Sequence, residues 1–102
     1  FFSCGCVLGA AHPASVLAGD ANIAGRFTVD GDVAAAGNAR DILGHPLNSL
    51  AWLANHSASR GTPLRKGDDI TLGSIVAAFR LEKPGKVEAS FDGLGAVTVD
   101  VV

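Results

Sequence analysis

Toward the end of the chain, Val87, Ala89 and Phe91 alternate with Glu88, Ser90 and Asp92, and beyond Gly93-Leu94-Gly95, Val97, Val99 and Val101 alternate with Thr98 and Asp100. Successive side chains of a strand point to opposite faces, so this period of two describes a pair of antiparallel strands with one apolar and one wet face. A helix would scatter the same valines around its circumference. A chain with this ending has to form a sheet and bring something to cover its apolar side.

Other segments supply the rest of the fold. Ile23 to Val29 and Val33 to Ala36 flank Asp30-Gly31-Asp32, and an Asp-Gly step takes the positive φ values of a tight hairpin turn, so a β-hairpin is expected. Pro46 suits a first helical position, Leu47, Leu50, Ala51 and Ala54 recur at helical spacing, and Gly61 follows, which predicts a helix. Trp52 and Leu53 widen its apolar surface beyond one stripe, so Trp52 is expected to be largely buried, against a neighbour or a second subunit. Lys66-Gly67-Asp68-Asp69 and Pro84-Gly85 read as turns. Ile70 to Phe79 reads as a strand kinked at Gly73, and Ser3 to Gly9 as a buried strand. Contacts between strands dominate and there is one substantial helix, so the fold class is a β-rich α+β domain.

Of 102 residues, 48% are hydrophobic and 18% charged, enough for one core and far from the composition of disordered chains. A net charge of −2 offers no attraction to nucleic acid or to an anionic membrane, so neither is expected as a partner. The weakly polar stretch from Phe1 to Ala18 is broken by His12-Pro13 and lacks a preceding basic residue, so it reads neither as a membrane span nor as a signal peptide. A cytoplasmic protein is the expectation. Cys4 and Cys6 lie two apart, too close for an unstrained disulfide and without zinc-finger partners, and are expected to be reduced, buried thiols. The chain opens Phe-Phe and contains no methionine, which reads as one partial domain over residues 1–102 with an N-terminal segment missing.

The run Ile42-Leu43-Gly44-His45-Pro46-Leu47-Asn48-Ser49-Leu50-Ala51-Trp52-Leu53-Ala54-Asn55 resembles the Gly-His/Asn-Pro helix segment of the 2-keto-4-pentenoate hydratases and 4-oxalocrotonate decarboxylases. The likeness continues in order through Leu64-Arg65-Lys66-Gly67-Asp68, Ile70 to Val76, Lys83-Pro84-Gly85 and Phe91-Asp92-Gly93-Leu94-Gly95-Ala96-Val97. Upstream, Val7-Leu8-Gly9 and the Gly25 to Gly31 hairpin also fit. These enzymes belong to the fumarylacetoacetate hydrolase superfamily, and the resemblance implies the C-terminal part of its mixed β-sheet roll. It also implies a lyase of aromatic-compound catabolism, a homo-oligomer acting on short 2-keto acids, with Mg2+ or Mn2+ stabilising enolate-like charge while water is added across a double bond.

In that family the ion is held by a Glu-x-Glu pair and a further acidic residue upstream of the matched region, so no metal ligand is expected in this segment, which alone should be inactive. Asp30-Gly31-Asp32 has a similar spacing but falls on the hairpin turn, where the resembling family has an exposed turn and no metal site, so it reads as a solvated turn. Where the family carries Ser-Gly-Ser-Leu-Thr, this chain has Leu72-Gly73-Ser74-Ile75-Val76. The matching Gly73 and Ser74 are the candidate substrate-binding residues: glycine admits close backbone approach, and a hydroxyl both donates and accepts. No catalytic acid or base is assigned. His45 precedes Pro46 and reads as a helix-entry residue, and His12 and His56 as surface histidines.

Two alternatives accompany the hydratase reading. A decarboxylase would share metal and fold but release carbon dioxide, and a non-catalytic accessory module would keep this half of the fold without chemistry.

Overall fold

The computed structural model describes residues 5–102. Its centre is a four-stranded sheet in the order β2-β1-β3-β4, with β1 Ala24–Val29, β2 Asp32–Asn38, β3 Gly85–Phe91 and β4 Gly95–Val101. All three pairings are antiparallel. The first hairpin closes through Asp30 and Gly31 at φ +50° and +87°, the two-residue turn that matches strand twist. Phe27 faces Ala35 while Thr28 faces Val33, so Ala34 is the extra residue of a β-bulge. Asp30 also fastens β1 to β3: its N–H donates to the Lys86 carbonyl at 2.8 Å and its carboxylate accepts the Lys86 N–H at 2.9 Å. Asp30→Ala removes that acceptor and leaves a residue less tolerant of positive φ. It should cost about 1–2 kcal/mol in thermal denaturation, with Asp30→Asn closer to the parent.

The register sorts the sheet's faces. Gly25, Phe27 and Val29 align with Phe91, Ala89 and Val87, and these with Gly95, Val97 and Val99. That is the apolar face. Arg26, Thr28, Ser90, Glu88, Thr98, Lys86 and Asp100 occupy the other, as the period of two requires.

The α-helix α1 spans Pro46–Ser59. His45 caps it, its Nδ1 accepting the Leu47 N–H at 3.1 Å while its Nε2 donates to the Gly19 carbonyl at 3.0 Å. At the other end Gly61 turns left-handed at φ +77°, Gly61 N–H reaches Ala58 O and Thr62 N–H reaches Ser57 O, a Schellman closure. The helix touches the 3₁₀ turn Ala39–Asp41 and barely meets the sheet. Trp52 is consequently 61% exposed, not buried as expected; its ring stacks on His56 with centroids 4.7 Å apart. Its position on the helix was legible, but among the described residues that face meets little besides His56.

Two expected strands are corrected. Residues 70–79 are irregular with a bend at Ile75 and Val76, because they run across the sheet instead of along an edge. Of the segment Ser3 to Gly9, residues 3–4 lie outside the described residues, and 5–9 are irregular and exposed, since no strand among the described residues pairs with them to take up their backbone hydrogen bonds. Cys6 is likewise exposed where a buried thiol was expected, and Cys4 lies outside the described residues.

Among the described residues the buried hydrophobic side chains are Ala21 and Ala39, at 2% and 7% exposure. The chain exposes 7666 Å2, against about 5,400 Å2 for a folded monomer of this mass. Its radius of gyration is 15.0 Å, against about 13 Å for a compact domain of this length. On the apolar sheet face the side chains of β1 and β3 are half-buried, and Val99 and Val101 on β4 are exposed.

Candidate functional site

The site is built where the irregular segment crosses the sheet. Gly25 on β1 and Gly37 on β2 face each other in the ladder, and the missing side chains leave a slot. Ile75 lies in it: a Cβ on Gly37 would fall onto the Ile75 carbonyl, and one on Gly25 would come within 2.5 Å of Ile75 Cδ1 and 2.9 Å of Phe91 Cε1. Farther along, Phe79 meets Phe27 with ring centroids 5.5 Å apart. The two contacts fix the crossing.

Gly73 enters the crossing at φ +132°, a conformation open in practice to glycine alone, and a Cβ there would press to 3.3 Å from Ile42 Cγ2. Ser74 then turns the chain by bonding to the backbone two residues on. Its hydroxyl donates to the Val76 carbonyl at 2.6 Å and accepts the Val76 N–H at 3.3 Å. The Ser74 proton is thus engaged, and its oxygen faces outward mainly as an acceptor until the hydroxyl rotates.

Gly73 and Ser74 line a cleft of about 370 Å3 with Phe27, Val76, Ser90 and Phe91. Gly73, Ile75 and Phe91 also line a second cleft of about 200 Å3, whose other walls include Ile23, Ile42 and Leu72. Arg26 edges the first cleft, its Nη2 donating to Asp92 Oδ1 at 3.2 Å.

The histidines stand elsewhere. Both His45 nitrogens serve the helix start, His12 Nε2 donates to the Leu94 carbonyl at 2.9 Å, and His56 stacks on Trp52. Among the described residues no group of three or more His, Cys, Asp or Glu is placed to hold a metal ion. Asp30, whose carboxylate accepts from Lys86, is committed to the fold, and its partner on the turn, Asp32, is exposed. These residues do not fit a magnesium or manganese site.

Sequence reasoning singled out Gly73 and Ser74 but missed Gly25 and Gly37, although glycine inside a strand signals close approach of another backbone. It also gave no role to Phe91, which belongs to both clefts.

Relatives share much of this sequence. The chain is 43% identical over 68 residues to a 2-keto-4-pentenoate hydratase of Burkholderia vietnamiensis, covering 67% of the chain and 26% of that protein. It is 37% identical over 73 residues to a 4-oxalocrotonate decarboxylase of Pseudomonas putida, covering 72% and 28%. A 2-hydroxyhexa-2,4-dienoate hydratase of Comamonas testosteroni is 28% identical over 98 residues, or 95% of the chain and 37% of that protein. The chain spans about a quarter of the length of the first two. A family model for the fumarylacetoacetate (FAA) hydrolase C-terminal region matches residues 2–102, and with an antiparallel sheet and one helix of the corresponding kind, the chain belongs to that family.

Proposed function

We propose that this chain forms the C-terminal, substrate-facing part of a hydratase that adds water to a 2-hydroxypenta-2,4-dienoate or 2-keto-4-pentenoate-like acid. The observation that carries the reading is the 43% identity with a hydratase over 68 residues, and the cleft that Gly73 and Ser74 line gives it a place to act. Gly73 brings bare backbone to the cleft, and Ser74, on rotation of its hydroxyl, donates to a carboxylate or keto oxygen. Water would add with its hydroxyl going to one carbon of the double bond and its proton to the other.

Much of the machinery belongs to polypeptide outside this segment. The divalent ion, Mg2+ or Mn2+, would be bound there, since the described residues offer no ligand set. The same polypeptide would cover the exposed part of the sheet face and complete a mixed-sheet roll; the roughly 2,300 Å2 of exposed area beyond that of a compact monomer supports such a cover. The segment alone is then inactive, and the intact protein is a cytoplasmic homo-oligomer. No helix of the described residues is long and apolar enough to cross a membrane.

The 37% identity with a decarboxylase favours one second reading, loss of carbon dioxide from 4-oxalocrotonate. Product analysis of the complete enzyme separates the possibilities. Formation of 4-hydroxy-2-oxopentanoate from the dienoate is the expected result. Carbon dioxide release from 4-oxalocrotonate without hydration would establish the decarboxylase, and turnover of neither would leave a non-catalytic module.

A further inference from the structure

We propose that Ile42 is a positioning residue for the substrate-binding pair: held by the turn that leads into α1, its branched side chain fixes Gly73 at the backbone angle that carries Ser74 to the cleft wall. The inference deepens the hydratase reading and rests on it.

Gly73 cannot hold that angle by itself. A glycine backbone moves freely among regions closed to other residues, so φ +132° persists only where the surroundings impose it. Downstream, Ser74 is tied to Val76, and Ile75 lies in the slot over Gly37. Beside Gly73 itself, the three atoms nearest to the place a Cβ would take all belong to Ile42, with Cγ2 at 3.3 Å, Cγ1 at 3.7 Å and Cδ1 at 3.8 Å. The two γ carbons branch from one Cβ, and a β-branched side chain is stiff at χ1, so they form a wall that does not swing aside.

Ile42 is held at both ends. Its N–H donates to the Ala39 carbonyl at 3.2 Å, and its carbonyl accepts the His45 N–H at 3.0 Å. Between them Leu43 and Gly44 stand at φ +52° and +79°, the signs of a type I′ turn, whose first central residue is usually Asn, Asp or Gly. Leucine is strained there, and with its side chain 67% exposed no burial offsets the strain. The turn is clamped from outside: Asn48 Nδ2 donates to the Leu43 carbonyl at 2.9 Å, and the His45 ring ties the helix start to the Gly19 carbonyl. A strained residue persists where its surroundings over-determine it, and what this turn sets is the place of Ile42 against Gly73.

The test uses the complete enzyme, with kcat and KM measured for 2-hydroxypenta-2,4-dienoate. Ile42→Leu keeps the volume but loses the branch at Cβ, and should lower kcat/KM by about tenfold or more, because small displacements of a substrate-positioning group cost rate steeply. Ile42→Val is smaller but keeps both γ carbons, and should retain kcat/KM to within about threefold of the parent. A role confined to filling space predicts the opposite order, since the leucine variant retains the larger apolar volume. Melting temperature establishes that each variant is folded; should Ile42→Leu fail to fold, Ile42→Ala, which removes both γ carbons, replaces it with the same expectation. Crystal structures read the cause directly: in the leucine variant Gly73 should depart from φ +132° by about 30° or more, beyond the ordinary scatter of backbone angles. An unmoved Gly73, or a leucine variant as active as the valine one, overturns this inference and leaves the hydratase reading in place. Failure of the parent to turn over the dienoate sinks that reading, and this inference with it.

Discussion

In the complete enzyme, Gly37→Val is expected to melt about 10 °C below the parent and to lose on the order of 100-fold in kcat/KM. The position tolerates no Cβ, because the Ile75 carbonyl lies where that atom would go. A flexible side chain could swing aside, whereas here the obstacle is backbone, held on one side by Gly73 at φ +132° and on the other by the Ser74 hydrogen bonds to Val76. Relief must come from lifting the whole crossing off the sheet, and overpacking of this kind costs about 3 kcal/mol. The displaced residues include both members of the proposed substrate-binding pair, so stability and activity should fall together. Gly5→Val is the control, since a Cβ at Gly5 meets nothing within 4 Å and needs no unusual backbone angle. Thermal denaturation of the two variants makes the comparison, and equal melting temperatures would show that Ile75 does not cross the sheet at Gly37.

Phe91→Ala should lower stability by about 3 kcal/mol, toward the low end for aromatic truncation because the ring is half-buried. The ring lies over Gly25 and forms a wall common to both clefts, so its removal joins them and withdraws support from Ile75. Against a total of roughly 5–15 kcal/mol for an ordinary domain, such a loss is severe. Urea titration should show a lower midpoint at an unchanged slope. Trp52→Ala gives the contrast within the 102-residue chain: the larger ring is mostly exposed, and its removal should stay within about 0.5 kcal/mol. A Phe91→Ala midpoint no lower than that of Trp52→Ala would show that this ring is not a keystone of the crossing.

The particular elements that could be read from the sequence share one property: their determinants are local. Asp30-Gly31 carries its own turn geometry, the valines of β3 and β4 carry their own period, and His45-Pro46 with Gly61 brackets α1 between a cap and a left-handed stop. Each signal acts within a few residues, where backbone preference and side-chain hydrogen bonding decide conformation before any packing occurs. Family membership was legible for a related reason, since it rests on the order of such local segments along the chain.

Residues 70–79 are the opposite case. Their β-branched and apolar composition suits a strand, but a strand exists only where another strand accepts its hydrogen bonds, and composition names no partner. Tertiary structure decided instead that Gly25 and Gly37 would leave a slot, that Ile75 would lie across it, and that Gly73 and Ser74 would thereby reach the cleft wall. The exposure of Trp52 was settled in the same way, because the sequence defines an apolar helix face but not what that face meets. Thus the sequence by itself determined the hairpins, the capped helix and the alternation of the sheet, all governed by interactions over a few residues. The tertiary structure alone decided the crossing and the clefts, because these depend on which surfaces, distant along the chain, come into contact and which remain open.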